Sequence, residues 1–255
     1  MARVSLRPKA FAIHLASSAI ALTLVFGLLY LGWYRWPGWY LAGAARVALV
    51  VVAVDLVLGP LITLIIANPR KPRRELRRDI AMVVAVQLSA LVYGVLTLWN
   101  GRPLYYTFSA DRLEMVQAYD LDAKEIALAR RSNPGLAPYW YSRPRWIWAP
   151  LPEDKDEAQK IVAGAVFGGS KDVTQMPRYF RPWPDGLPAL RQQLHALGDL
   201  RMFTPAEKPA LKDKLVARGI APNQPNALPM WGRGRPLLAV IEPASGEVRA
   251  ILRAD

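Results

Sequence analysis

The chain has no cysteine, two histidines, and 20 acidic residues against 33 basic ones in 255. Without cysteine there is no disulfide framework, no thiol nucleophile and no thiolate metal site. The histidines, His14 and His195, are far apart in sequence, and a lone histidine makes no metal site. No serine stands in a nucleophile-elbow context, and no glycine loop has the spacing of a phosphate cradle. The sequence therefore gives no candidate catalytic residue, no cofactor site and no metal site. Acidic residues are scarcest at the front: residues 1–99 carry a net charge of +8 and residues 100–255 a net +5. A basic excess concentrated around apolar runs follows from membrane topology. It does not point to nucleic acid, so membrane lipids and not nucleic acid are the expected partners of that charge.

What the chain does have is three long apolar runs, each near the ~20 residues of helix that cross a bilayer core. They are Phe11–Trp33, Leu41–Ala67 and Ile80–Trp99. Between the second and third lies NPRKPRRELRRD, residues 68–79, with six basic residues against Glu75 and Asp79. A short basic connection stays in the cytoplasm. Arg3, Arg7 and Lys9 place the N-terminus on the same side. The aromatics Trp33, Tyr34, Trp36, Trp39 and Tyr40, with Trp99, fall together on the other side, as membrane–water interfaces prefer. A secretory signal is the rival reading of the first run. That run exceeds the usual 7–15 apolar residues of a signal and ends in aromatics, so an uncleaved helix is the expectation. The chain reads as a multi-pass protein of the cytoplasmic (inner) membrane. Residues 1–100 form a three-helix transmembrane domain with its basic loop in the cytoplasm, and residues 101–255 form a small periplasmic α+β domain.

Within that second part, residues 104–108 and 112–118 read as strands around a turn at Ala110-Asp111. Residues 122–131 carry a short helical pattern, and 132–152, rich in Pro, Trp and Tyr, read as irregular. A helix is expected from about Glu153 to Phe167, stopped by Gly168-Gly169. Another should run from Leu187 to Leu197 and carry His195. The stretch Thr204-Pro205-Ala206-Glu207 matches a capping box with proline at the first helical position, and the helix it opens should end near Arg218-Gly219. The C-terminus reads as a hairpin, strands 237–242 and 247–252. Acid pairs such as Asp120/Asp122 and Glu153/Asp154 read as helix caps.

Four features are candidates for function. Asp55 stands near the middle of the second span, where an ionisable group is costly and usually faces protein or water. Gly59-Pro60 follows it. Pro60 has no N–H, which in an α-helix frees the Leu56 carbonyl. Asp55 reads either as an internal hydrogen-bonded anchor, with Ser18, Thr23 and Ser89 as donors, as part of a proton path, or as a contact for a foreign helix. His14 and Gln87 lie at similar shallow depth and are expected to meet. Ala81, Ala85 and Ser89 form a small-residue stripe at four-residue spacing, suited to close helix packing inside the bundle or against another protein. The segment 138–150, PYWYSRPRWIWAP, sets Tyr139, Trp140, Tyr141, Trp146 and Trp148 among Arg143 and Arg145. It reads equally as a recognition surface and as tryptophans that fill the small domain's core or rest on the bilayer interface.

KAFAIHLASS (9–18), VDLVLGPLITLIIANPRK (54–71), DIAMVVAVQLSALVYG (79–94) and GRPLYYTFSADRLEMVQAYD (101–120) together resemble the type IV pilin accessory proteins of the TfpX/TfpZ type. The final hairpin with Ser245-Gly246-Glu247-Val248 fits the same family's end. The resemblance implies a non-enzymatic inner-membrane factor for type IV pilus assembly whose partner is a pilin, major or minor, with other pilus assembly proteins as further candidates. It supplies no catalytic residue. The alternative from a different class is an envelope enzyme acting on pilin or a glycan, for example by glycosyl transfer. On the first reading, Asp55, Ala81, Ala85 and Ser89 are the partner-binding candidates in the membrane, and Tyr139, Trp140, Arg143 and Trp146 those outside it.

Overall fold

A computed structural model describes residues 6–67, 71–167 and 171–255. Arg3, Arg70 and Gly168-Gly169, named above, lie outside the described residues. The chain forms two compact units. One takes the chain up to Arg35 and then Gly43–Gly101; the other takes Trp36–Ala42 and Arg102–Asp255.

The first unit is helical. α1 (Leu6–Leu29) continues into a π-turn, Tyr30–Tyr34. The second span is built of α2 (Ala44–Val52), a π-turn at Ala53–Leu58, and α3 (Gly59–Ile66). α4 (Arg73–Asn100) is the third. By length and composition, 3 helices among the described residues are able to cross a membrane. Their outward side chains, among them Ile13, Leu24, Leu28, Ile65 and Val86, are apolar and exposed, a surface that suits lipid and not water. Inside, the Tyr34 hydroxyl donates to the Leu98 carbonyl at 2.6 Å, and Trp33 meets Trp99 edge-on at 5.0 Å. Helix α4 starts at Arg73, so Arg73, Arg74, Arg77 and Arg78 lie on its first turns, and Lys71 pairs with Asp79 at 2.6 Å.

The second unit is a mixed seven-stranded sheet in the order β4-β3-β1-β2-β5-β6-β7. Its strands are β1 (Pro103–Ser109), β2 (Arg112–Gln117), β3 (Arg145–Trp148), β4 (Arg181–Pro182), β5 (Ala227–Trp231), β6 (Leu237–Ile241) and β7 (Val248–Leu252). The expected hairpins β1–β2 and β6–β7 both form, with Ala110 and Gly246 at positive φ in their turns. Alternation divides the core. Tyr106, Phe108, Leu237, Ala239 and Ile241 face one side. Leu238 and Val240 face the other, with Leu211 and Leu215 of α8 (below). Among the helices that accompany the sheet are α5 (Ala123–Ser132), α6 (Lys155–Phe167), α7 (Leu187–Gln193) and α8 (Glu207–Val216).

The caps follow the local sequence. Asp122 and Asp154 accept from the backbone N–H three residues on. Glu207 reaches back to the Thr204 N–H at 2.8 Å. Beyond α8, Gly219 (φ 68) donates to the Val216 carbonyl and Ile220 to that of Leu215, the paired bonds of a Schellman motif. Gly219→Ala is expected to cost about 1–2 kcal/mol, since a Cβ strains the left-handed conformation. A lowered thermal midpoint of the detergent-solubilised protein is the measurement.

Three expectations are corrected. The stretch 132–152 is not wholly irregular, because Arg145–Trp148 forms β3, parallel to β1. The helix from Leu187 stops at Gln193, where Leu194 turns extended. His195 is therefore not helical; it exchanges both backbone bonds with Ala227, at 2.9 and 3.0 Å.

The aromatics after α1 do not act as one belt. Trp36–Ala42 is a strap sewn into the sheet unit. Leu41 is fully buried in the core beside Tyr106 and Leu237. Its carbonyl accepts from the Arg233 N–H at 2.7 Å, Trp36 Nε1 donates to the Ile251 carbonyl at 3.2 Å, and the Arg253 guanidinium lies over the Tyr40 ring. A Cβ at Gly232 would come within 2.7 Å of the Leu41 carbonyl oxygen, so the strap passes only over a glycine.

Candidate functional site

In the helical unit, polar side chains from all three spans meet. His14 of α1 touches Thr63 Oγ1 through Nδ1 at 2.6 Å and Gln87 Oε1 through Nε2 at 2.7 Å. The Gln87 amide nitrogen donates to the backbone carbonyl of Asp55 at 3.2 Å. That last bond fixes the direction of the rest. A carbonyl only accepts, so the Gln87 NH2 faces Asp55 and its oxygen faces His14. His14 Nε2 then carries a proton, and in the neutral ring Nδ1 accepts from the Thr63 hydroxyl. The chain of donors runs Thr63, His14, Gln87, Asp55 carbonyl.

The π-turn explains why that carbonyl is free. The Gly59 N–H bonds to the Val54 carbonyl, five residues back. In this register the donor facing the Asp55 carbonyl is position 60, which is proline and has no N–H. The orphan is thus Asp55, not Leu56 as a plain α-helix requires. Gln87 fills the vacancy, and it does so across Gly59, where a Cβ would lie 2.0 Å from Gln87 Nε2.

The Asp55 carboxyl faces His14 and Gln87 and is 4% exposed, yet its Oδ1 has no hydrogen-bond partner among the described residues. It lies in a groove of about 450 Å³ walled by α1 and α4, with Asp55 and Thr63 contributed by the second span. Of the donors expected for Asp55, Ser18 lines this groove, Thr23 is exposed, and the Ser89 hydroxyl bonds to the Ala85 carbonyl. The expected His14–Gln87 contact is present. Thr63 was not anticipated; its position one turn from the end of an apolar helix carries no pattern of its own. Ala81, Ala85 and Ser89 are exposed, on the side of α4 turned away from buried Gln87 and Leu98, so the stripe does not pack inside the bundle.

In the sheet unit the aromatic segment divides in two. Trp146 packs on Tyr106 and Trp183, at 4.9 and 5.4 Å between ring centroids, and belongs to the core. Trp140 and Tyr141 are 70% and 58% exposed. Tyr139 stacks on Tyr141 (5.7 Å, 11°), Trp140 meets Tyr141 edge-on, and the Arg130 guanidinium covers Tyr139. Arg143 is exposed beside a shallow hollow lined by Tyr139, Tyr141 and Ser142. Arg145 is a staple, donating to the carbonyls of Gly135, Leu136 and Ala137. The Tyr105 phenol, pushed up to about 12 by burial despite the nearby Arg145, stays protonated and donates to the Leu136 carbonyl at 2.6 Å. These bonds hold the loop's base while its tip presents two stacked rings, a tryptophan and a cation.

Comparison with known proteins gives relatives of one kind. The chain is 26% identical to the fimbrial assembly protein of serogroup I from Dichelobacter nodosus over 184 residues, 71% of this chain and 68% of the relative. It is 24% identical to the serogroup E1 protein of that organism over the same shares of each. To the serogroup C1 and C2 protein it is 29% identical over 117 residues, 46% of this chain and 89% of the relative. No family model matches the chain. No solved structure matches it.

Proposed function

We propose that this protein is a non-enzymatic accessory factor of type IV pilus assembly that binds and stabilises a pilin subunit from the inner membrane. The observation that carries the reading is the similarity, over 71% of the chain, to a protein named for fimbrial assembly. The geometry supports it by offering surfaces suited to a client with a membrane helix and a globular head. In the membrane they are the groove at Asp55 and the outward stripe Ala81, Ala85 and Ser89, where small side chains permit close helix approach. Outside it is the loop of Tyr139, Trp140 and Arg143, whose rings and guanidinium supply contact area and orientation. Trp146 contributes by holding that loop's strand.

The proposed orientation has the N-terminus in the cytoplasm and residues 102–255 in the periplasm. The strap after the first span and the strands after the third belong to one compact unit, which supports placing both on one side. The absence of cysteine makes a clean test. Gly135→Cys should react with a membrane-impermeant thiol reagent from outside the inner membrane, and Arg74→Cys only after permeabilisation. The reverse pattern overturns the orientation.

Capture of the subunit decides the function. Co-expressed pilin should copurify with the full chain. Trp140→Ala with Arg143→Ala should reduce recovery several-fold at matched expression, and Ala85→Leu should reduce it through the membrane surface. No copurification, together with turnover of a lipid-linked sugar, would establish the enzyme instead.

A further inference from the structure

We propose that the groove between α1 and α4 seats one helix of another membrane protein, and that Asp55 Oδ1 accepts a hydrogen bond from a polar side chain on that helix. The inference deepens the reading above and rests on it for the choice of occupant, the pilus subunit's membrane helix.

Among the described residues, the polar side-chain atoms of His14, Thr63 and Gln87 are accounted for. Both nitrogens of His14, the Thr63 hydroxyl and both ends of the Gln87 amide are engaged. Asp55 Oδ1 is not, although the residue is buried and lines the groove. A carboxyl oxygen without a donor inside hydrocarbon is costly. Water is scarce at that depth and acyl chains carry no donor, so an embedded protein segment is what can bring a polar hydrogen there. Segments that span lipid without a closed barrel are helices.

The walls agree with such an occupant. On α1 the groove presents Ala10, Ser17, Ser18 and Ala21, small residues that let a backbone come close. Ser17 spends its hydroxyl on the His14 carbonyl at 2.9 Å. The one lysine or arginine in this chain's apolar runs is Arg46, nine residues before Asp55 on the same span and so about 13.5 Å away along a helix axis, and the chain's imidazole and amide in the membrane are already committed. A strong donor for Asp55 therefore has to come from a different protein. The carboxyl selects among apolar helices by requiring that donor, which greasy surface alone cannot do.

The test uses the full chain co-expressed with the pilus subunit. A photo-crosslinking residue replaces Val84 on the groove wall or Ile65 on the exposed face of α3, which borders neither the groove nor the stripe. The subunit adduct at Val84 should exceed that at Ile65 several-fold. Asp55→Leu should lower the Val84 adduct on the order of three- to tenfold, the range of one hydrogen bond within a membrane. Asp55→Asn keeps an oxygen acceptor and should hold the yield within about twofold of the original. On the subunit, exchanging the polar residues of its membrane helix for leucine one at a time should reveal one position that reproduces the loss and adds nothing to Asp55→Leu. These subunit changes leave this chain untouched and decide the matter even where Asp55→Leu accumulates poorly. An equal adduct at both positions, a yield unchanged by Asp55→Leu with no sensitive position on the subunit, or a Val84 adduct only with lipid or a second copy of this chain overturns the inference. If the subunit still copurifies in those cases, the pilin-binding reading stands alone; if it does not, both fall.

Discussion

Gly59→Ala should lower the stability of the helical unit by about 2 kcal/mol, the cost of stranding one buried donor and one buried acceptor. The direction is the informative part. A glycine-to-alanine exchange inside a helix ordinarily stabilises by up to about 1 kcal/mol. Here the added Cβ would stand 2.0 Å from Gln87 Nε2, forcing the amide off the Asp55 carbonyl. That carbonyl has no second donor, because the π-turn sets it against Pro60. His14 Nε2 would lose its acceptor in the same step. Thermal midpoints in detergent, for single and double variants, are the measurement. Gln87→Ala should be destabilising by itself, and Gly59→Ala on that background should be neutral or favourable. Equal costs of Gly59→Ala in both backgrounds would mean that steric exclusion of Gln87 is not the cause.

Leu41→Ala should destabilise the sheet unit by about 2–5 kcal/mol, the range for emptying a leucine site in a packed core. In sequence Leu41 opens the second apolar run, where a residue at the membrane interface would tolerate the change. In the structure it is 0% exposed and packs in the core that also holds Tyr106, Met230 and Leu237. The prediction is checked by protease resistance and by the tryptophan fluorescence melt of the intact protein, since Trp146 and Trp183 border the same core. Trp39→Ala, in the same strap but outside that core, serves as the comparison. A Leu41→Ala protein that melts with the unaltered one would place the strap outside the cooperative unit.

The two predictions fall on features that differed in how far they could be read. The spans, the β1–β2 and β6–β7 hairpins and the Gly219 stop are local patterns that formed where their residues called for them, whereas the helix after Thr204 starts at Glu207 and not at Pro205, with only the Glu207 half of the capping box made. The strap was hidden because Trp36 and Tyr40 obey the rule for interfacial aromatics equally well. Their partners Ile251 and Arg253 lie more than 200 residues on. Strand β3 was hidden in the same way: Arg-Trp-Ile-Trp is too short to show a period, and its partner β1 is a distant parallel neighbour.

Within the site, His14 and Gln87 could be paired because few polar residues share their depth. The Asp55 carbonyl was missed by one position, since Gly59-Pro60 announces a lost hydrogen bond but not the extra residue of a π-turn. The four-residue spacing of Ala81, Ala85 and Ser89 defined a face of α4 and was silent on which way it looks. The loop tip at Trp140 and the staple at Arg145 are five residues apart with similar composition. Only the neighbours at Gly135–Ala137 separate recognition from support.

The strap also imposes an order on biosynthesis. Leu41 leaves the ribosome before the second and third spans exist, and the strands that enclose it follow only after Gly101. The sheet unit cannot finish its core until a segment made some sixty residues earlier is delivered to the same compartment. Failure of either later span to insert would strand Leu41 and its partners on opposite sides of the bilayer. The completed fold would then report correct insertion of the helices before it, and a misinserted chain would present an unfilled core to proteolysis.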